Sequence, residues 1–546
     1  MADSPSNTST LSRRPLLSVY ARLQSASSTV VLHAKKHVGV GIVCAVAYFD
    51  PGNWGVDLQA GSQFGYRLLF VVLLAGLFAA FLQVLATRLG CVTGLDLASH
   101  CRVLLYDRPK HRLLYRWLGL YPLYILSEVA IISTDLAELL GSAIALCLLF
   151  PRLQLWHGVL ITMFDVVLLL ALRDPLRSTP VKMFEFLIGG LVLAVLVCLV
   201  VIITKIDVDW AQAFDGFLPS KYLFDANGLY TSVGILGATV MPHSLFLGST
   251  LATQDRLAGE APSGAVSLQS LQVADFREAS LEIRREPSRL CQLRDFLVSL
   301  FRTPPPSPSS TRVKRHVDRE NNTLTFIRSH LTHGIVDVVG SLLGFAVLIN
   351  SMILILASTV FFSRDNSMAM NQPASLFDAY DLIHQLIGPA AATLFAISLL
   401  ASGQSSSIIA TVAGQAVSEG FLNWRVSPVV RRLLTRLIAV VPSMAVAVAV
   451  GRPGINTLLV VSQVVLSIVL PFISFPLIYL TSSKSIMRVR KPDALISTAP
   501  ELGRSWDETI DFSSGIIATV LGWTIWLLML TANIYVIATL IIGARR

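Results

Sequence analysis

Charge is scarce in this sequence. Of 546 residues, 14% are charged and 53% hydrophobic, and the mean hydropathy is +0.65. A soluble domain carries about 25% charged residues, so this composition excludes a soluble enzyme and indicates a polytopic membrane protein. Cysteine is also sparse. Cys44, Cys91, Cys101, Cys147, Cys198 and Cys291 form no CxxC pair and fall mostly in or beside apolar segments. They read as small apolar fillers, and no disulfide framework is expected. No His/Glu pair at metalloprotease spacing and no nucleophile elbow is present, which argues against a membrane-embedded enzyme. The net charge of +9 lacks the aromatic interleaving of a nucleic-acid surface, so no nucleic-acid partner is expected. The first 37 residues are Ser/Thr-rich and contain no apolar core. No cleavable signal peptide is therefore expected, and the first span must direct insertion itself.

What is present is a series of apolar runs. Windows of about 20 apolar residues predict eleven spans, near 38–60, 66–87, 117–150, 155–173, 183–205, 226–254, 333–362, 378–403, 434–450, 456–481 and 514–543. The segments that would be inside if the N-terminus is cytoplasmic hold 35 of the 43 Lys and Arg residues. That asymmetry predicts the N-terminus inside and the C-terminus outside, with the basic segments facing the lipid bilayer surface. The chain then divides into a cytoplasmic tail (1–37), spans 1–6 (38–254), a long cytoplasmic loop (255–332) and spans 7–11 (333–543). The loop carries Thr303-Pro-Pro-Pro-Ser-Pro-Ser309 and mixed charge. Disorder is expected there, with partial helix near 277–300. Cytoplasmic regulators acting by phosphorylation would find it accessible, and removal of about 260–325 is expected to leave the work of the membrane spans largely intact. Asn7 and Asn321 fit the glycosylation pattern on the wrong side of the membrane, so neither is expected to be used.

Two places in the apolar runs are unlike the rest. Ala47-Tyr-Phe-Asp-Pro-Gly-Asn53 puts a charge, a proline, a glycine and an amide at membrane depth. Pro51 removes a backbone donor, so the helix should break, freeing carbonyls such as that of Ala47 beside Asp50 and Asn53. A break of this kind must line a cavity enclosed by protein. About 190 residues later, Ala238-Thr-Val-Met-Pro-His243 repeats the pattern. Two broken helices at matching places in two halves point to a transporter built from inverted repeats, with substrate bound where the breaks meet. Asp50, Asn53 and the carbonyls of Ala47 and Ala238 are hard oxygen ligands, while Met241 adds a soft thioether. The mixture favours a divalent transition metal such as Mn²⁺ or Fe²⁺ over Ca²⁺, Mg²⁺ or Na⁺. His243 could be a metal ligand or a proton carrier, since imidazole titrates near neutral pH.

The third span holds Glu128, Asp135 and Glu138, whose spacings of seven and three place them on one helical face. Three carboxylates on one buried stripe cannot all be ionised cheaply, so a proton relay is expected, with structural pairing to Arg432 or Arg436 as the plainer alternative. Gln463 is the polar residue of the tenth span expected to reach a central site. Asp165, Glu185, Asp337 and Asn350 are expected to make structural hydrogen bonds.

These residues resemble the Nramp family of proton-coupled divalent metal transporters. The resemblance rests on Asp50-Pro-Gly-Asn53, Thr134-Asp-Leu-Ala-Glu138, Gly237-Ala-Thr-Val-Met-Pro-His243, Ala401-Ser-Gly-Gln-Ser-Ser406 with Ala413-Gly-Gln415, and Ser462-Gln-Val-Val-Leu-Ser467. It implies an all-α, LeuT-like fold of two inverted five-helix repeats plus an eleventh span, with helices 1 and 6 unwound at mid-membrane. It further implies metal at Asp50, Asn53, Met241 and the Ala47 and Ala238 carbonyls, and proton-linked roles for His243, Glu128, Asp135 and Glu138. Metal and proton are then substrates, no resident cofactor is needed, and uptake runs toward the cytosol across a plasma, endosomal or vacuolar membrane. Many members carry Asn after Met-Pro-His and a second histidine five residues after the first. Here Ser244 and Gly248 stand in those places, a form similar to fungal manganese and iron transporters of the family. The alternative reading is a sodium-coupled amino-acid transporter of the same architecture, which Asp50 and Met241 fit poorly.

Overall fold

The computed structural model describes residues 39–163, 182–256, 316, 320–362, 374–424, 427–491 and 509–543. Among them, nine helical runs are long and apolar enough to cross a membrane. The first expected span is two helices, α1 (Val40–Val46) and α2 (Pro51–Phe64), joined by a tight turn over Ala47–Phe49. Asp50 sits in extended backbone at the junction (ψ 171°), and its carboxylate accepts the Asn53 backbone N–H. The residue that was expected to break the helix also starts the next one: Asp is a strong N-cap, and Pro is favoured at the first helical position because its missing donor is not needed there. Gly65 (φ +61°) then turns the chain into α3 (Leu69–Thr93).

The second half opens the same way. Helix α8 (Ala226–Thr239) stops at Val240, and α9 (Pro242–Leu251) begins after Met241, which lies in extended backbone with Pro242 behind it. Between the two broken helices lie α4 (Leu97–Leu105), α5 (Tyr121–Leu149), α6 (Leu155–Thr162) and α7 (Lys182–Ile203). The far half of the fourth expected span, including Asp165, lies outside the described residues.

Beyond α9 come α10 (Leu324–Ser341) and, after a wider π-type turn, α11 (Leu348–Ala357). Helix α10 starts nine residues before the expected boundary at 333. Thr323 caps it, and the two residues before the cap are anchored. The Asn322 side chain and backbone N–H bond the carbonyls of Cys91 and Val92, and the Asn321 amide donates to the carbonyls of Ile486 and Arg488. Most of the expected loop, including 277–300, lies outside the described residues, as do the N-terminal tail and Asn7.

The eighth span also differs. Residues 378–403 straddle two helices: a short amphipathic α12 (Leu376–Leu386) and the long α13 (Pro389–Leu422). Gly388 (φ +115°) followed by Pro389 makes the division, because the first residue reverses the chain and the second can only begin a helix. The spanning element is α13. Then follow α14 (Pro428–Ala449), α15 (Arg452–Ser482) and α16 (Ile516–Gly543), with a small hairpin of β1 (Arg488–Arg490) and β2 (Thr509–Asp511) between the last two. Arg88 of α3 donates to the Phe512 and Ser513 carbonyls and ties this hairpin to the bundle. Helix α5 is the central post, packed against α13, α15 and α14, while α2 packs against α11 and α8.

Candidate functional site

The two breaks face each other. Asn53, one turn into α2, uses its amide nitrogen to donate to Asp50 Oδ1 (2.8 Å) and to the Ala238 carbonyl (2.9 Å) of the other broken helix. Its Oδ1 accepts from Asn350 (3.3 Å) and lies 3.5 Å from the Thr239 hydroxyl. Asn350 also donates to the Tyr48 carbonyl, and Ser402 of α13 to the Phe49 carbonyl, each at 2.7 Å. Two carbonyls freed by the first break are thus held by neighbouring helices, as the cost of an unpaired buried carbonyl requires. Ala47, Asp50, Asn53, Ala238, Met241 and His243 are all buried. Asp50 Oδ2 and His243 Nε2 have no hydrogen-bond partner among the described residues. Gln463 packs directly on Gly52, so closely that a Cβ there would strike its amide, and its Oε1 is likewise without a partner. Asp50, Asn53 and Ala238 are thus joined directly, and Gln463 abuts the same break at Gly52, while Ala47, Met241 and His243 are buried in the two broken segments.

Thr134 was not singled out for a role of its own. Its hydroxyl lies 4.0 Å from the Met241 sulfur and 3.3 Å from His243 Nδ1. It also sits next to Asp135, so it joins the broken helix to the carboxylate stripe. The available signal was its place in Thr134-Asp-Leu-Ala-Glu138, immediately before an acid at membrane depth.

The stripe itself meets a row of arginines on α14. Asp135 pairs with Arg432 and lies 3.5 Å from Arg436, which also donates to the Asp135 carbonyl and to Ser407. Glu128 pairs with Arg431, whose Nη2 is 2.8 Å from both carboxylate oxygens. That partner differs from the expected choice of Arg432 or Arg436. The order of pairing is the same along both helices, so the earlier acid takes the earliest arginine. Glu138 is fully buried with neither oxygen hydrogen-bonded among the described residues, although it lies one turn from Asp135. These three arginines are buried, so they belong to the interior and not to the basic membrane surface on which their count was based. Of the residues expected to be structural, Asp337 accepts from the Gly41 N–H (2.7 Å), Glu185 pairs with Arg256 (2.5 Å), and Asn350 acts as described above.

The departures at Ser244 and Gly248 have a packing explanation. Gln83 of α3 fills the space beside Gly248, and a Cβ there would collide with its amide nitrogen. Gln83 Oε1 accepts from Tyr48 (3.1 Å) and Ser244 (3.3 Å). A histidine at 248 would have no room while Gln83 holds this position.

Comparison with known proteins places this geometry. The family profile described as "Natural resistance-associated macrophage protein-like" (Nramp) matches residues 41–276 and 307–498. The manganese transporter pdt1 of Schizosaccharomyces pombe is 40% identical over 93% of this chain and 86% of its own length. The iron transporter SMF3 of Saccharomyces cerevisiae is 36% identical over 93% and 97%. The crystal structure of the Eremococcus coleocola manganese transporter superposes with a TM-score of 0.65 at 28% identity, covering 91% of this chain and 85% of that one. MhsT in complex with L-phenylalanine, at 13% identity and a TM-score of 0.50 over 92% and 97%, shares the LeuT-like fold alone.

Proposed function

This chain belongs to the Nramp family, and from that membership we propose that it carries divalent transition-metal ions, Mn²⁺ foremost and Fe²⁺ among others, across a membrane toward the cytosol together with protons. The observation that carries the reading is the Asn53 amide. Its NH₂ group bridges Asp50 Oδ1 and the Ala238 carbonyl, two acceptors on different broken helices. A cation placed between them would satisfy the same oxygens. Rotating the Asn53 amide by half a turn would add Oδ1 to that set. Asp50 Oδ2 and Gln463 Oε1 supply further oxygen, and the Met241 sulfur supplies the ligand that a hard ion does not favour. The metal is held by Asp50, Asn53, Met241, Gln463 and the carbonyls of Ala47 and Ala238.

Protons take the neighbouring route. His243 and Thr134 connect the metal site to Glu138 and Asp135, and Arg432 and Arg436 hold the Asp135 carboxylate in place. Glu138, buried and without a donor among the described residues, is the member of the stripe best placed to take and release a proton. Glu128 continues the row toward Arg431. An amino-acid cargo is disfavoured because its carboxylate would meet Asp50.

The test is Mn²⁺ uptake in proteoliposomes with a pH-sensitive dye inside. The unaltered protein should acidify the lumen as Mn²⁺ enters. Asp50→Ala and Asn53→Ala should each lower Mn²⁺ uptake at least about a hundredfold, equivalent to about 3 kcal/mol of lost transition-state or binding energy. Substantial uptake by a monodisperse Asp50→Ala variant would refute the assignment.

A further inference from the structure

Asp57 is a carboxylate that neither the metal site nor the proton stripe uses. It is 1% exposed, and its Oδ2 has no hydrogen-bond partner among the described residues. It lies on α2, the helix that Asp50 caps, seven residues after Asp50 and four after Asn53. Seven residues fall about 20° short of two full turns, and they rise about 10 Å. All three polar side chains therefore lie on one stripe of α2, running away from the break on the side opposite α1.

The neighbours of α2 fix where that stripe points. Trp54 packs edge-on against Phe395 of α13, Gly55 abuts Leu459 of α15, and Val56 abuts Gly234 of α8. Gly61 lies against the backbone of α11 at Leu354 and Ser358. At 100° per residue, Asp57 falls between the directions of Val56 and Gly61, in the crevice between α8 and α11. Asn53 occupies the same crevice one turn earlier, where it bonds Ala238 and Asn350. Ser351, the residue after Asn350 on α11, is 5% exposed, and its hydroxyl also has no partner among the described residues. A buried carboxylate normally has a cation or several donors beside it, because an unpaired buried charge is strongly destabilising. Among the described residues Asp57 forms no ion pair.

We infer that Asp57 is a second cation-holding carboxylate: a waiting position for the divalent metal in the α8–α11 crevice, about 10 Å from Asp50 on the side of the break away from α1. The inference rests on the metal-transport reading above. Asp57 binds the ion through its carboxylate at the approach to Asp50, and Ser351 offers a neutral oxygen beside it. The ion then passes one turn along α2 to Asn53 and Asp50.

The experiment compares Mn²⁺ uptake against Mn²⁺ concentration in proteoliposomes for the full chain, Asp57→Asn, Asp57→Glu and Asp50→Ala. Asn keeps the shape and hydrogen-bonding capacity of Asp but removes its charge, while Glu keeps the charge. Asp57→Asn should raise the half-saturating Mn²⁺ concentration at least about tenfold, a lower bound for one charge acting on a divalent ion across about 10 Å at an effective dielectric constant of about 20. Its maximal rate should change less than about twofold. Asp57→Glu should stay within about twofold of the unaltered protein in both. An unchanged half-saturation in Asp57→Asn, or equal impairment in Asp57→Asn and Asp57→Glu, would overturn the inference and leave the central site standing. Vesicles of the unaltered protein that take up no Mn²⁺ would overturn both the transport reading and this inference with it.

Discussion

Asp50 caps α2 with one carboxylate oxygen and leaves the other without a partner. Structure and chemistry thus share a side chain, and removing it costs both. Met241 is different, because its side chain caps nothing. Its sulfur touches only the Thr134 hydroxyl at 4.0 Å among the hydrogen-bonding groups described. Met241→Ala should therefore keep the fold and alter selectivity. The hard ligands remain, and the space left by the thioether admits water, which suits Ca²⁺. We expect Mn²⁺ uptake to persist in part while Ca²⁺ becomes an inhibitor or a substrate, so that the Mn²⁺/Ca²⁺ ratio falls more than Mn²⁺ affinity does. Uptake of both ions by Met241→Ala, with Met241→Ser as the variant that adds an oxygen, measures this. If Mn²⁺ uptake drops and Ca²⁺ still neither enters nor competes, cavity shape and not sulfur is the filter.

The broken helices are held by close backbone approach as much as by side chains. Gly237, one residue before Ala238, lies against the Gln463 carbonyl and the Ser467 side chain of α15. A Cβ there would collide with a main-chain oxygen that cannot swing aside, so α8 and α15 would have to separate. Gly237→Ala should lower the melting temperature in detergent by several degrees, for an overpacking cost of about 1–3 kcal/mol. It should also reduce transport, because Ala238 and Gln463 move apart. Gly340→Ala in α10 is the control, since nothing lies within 4 Å of the Cβ it adds; it should be neutral or slightly stabilising. Equal melting temperatures for the two variants would show that α15 yields without cost.

Across the whole molecule, the long segment between α9 and α10 ends in an anchor. Asn321 and Asn322 bond four backbone carbonyls on α3 and on the β1 side of the hairpin, and His316 stacks on His100 of α4. A deletion of about 260–325 would cut through these contacts and into the first turn of α10. A deletion of 260–312 spares them. The shorter deletion should transport Mn²⁺ within about twofold of the full chain, because a Pro/Ser-rich segment of mixed charge buries little apolar surface. The longer deletion should lose several degrees of melting temperature. Proteoliposome uptake and thermal melts of the two, side by side, decide the matter, and a transport-dead 260–312 deletion would make the loop part of the mechanism.

The apolar spans and the two breaks were legible in the sequence because each rests on local chemistry. About 20 apolar residues must be a span, and Pro-Gly beside Asp at membrane depth must interrupt a helix, whatever lies around it. The division of the eighth span at Gly388-Pro389 was legible by the same rule, but the apolar window ran across it. Pairing was legible only in part, since the expected Arg432 and Arg436 do meet Asp135 but Glu128 takes Arg431. Glu128, Asp135 and Glu138 have the same chemistry and the same helical face, and only the placement of α14 decides that two of them form ion pairs with arginines while Glu138 forms none among the described residues. Likewise Asp57 looks in the sequence like any acid near a helix end. The direction of the α8–α11 crevice is what buries it on the stripe of Asp50 and Asn53. Which residues are polar at depth is a property of the chain, but which of them touch is set by helix rotation and register, and those are fixed only when all the helices pack at once.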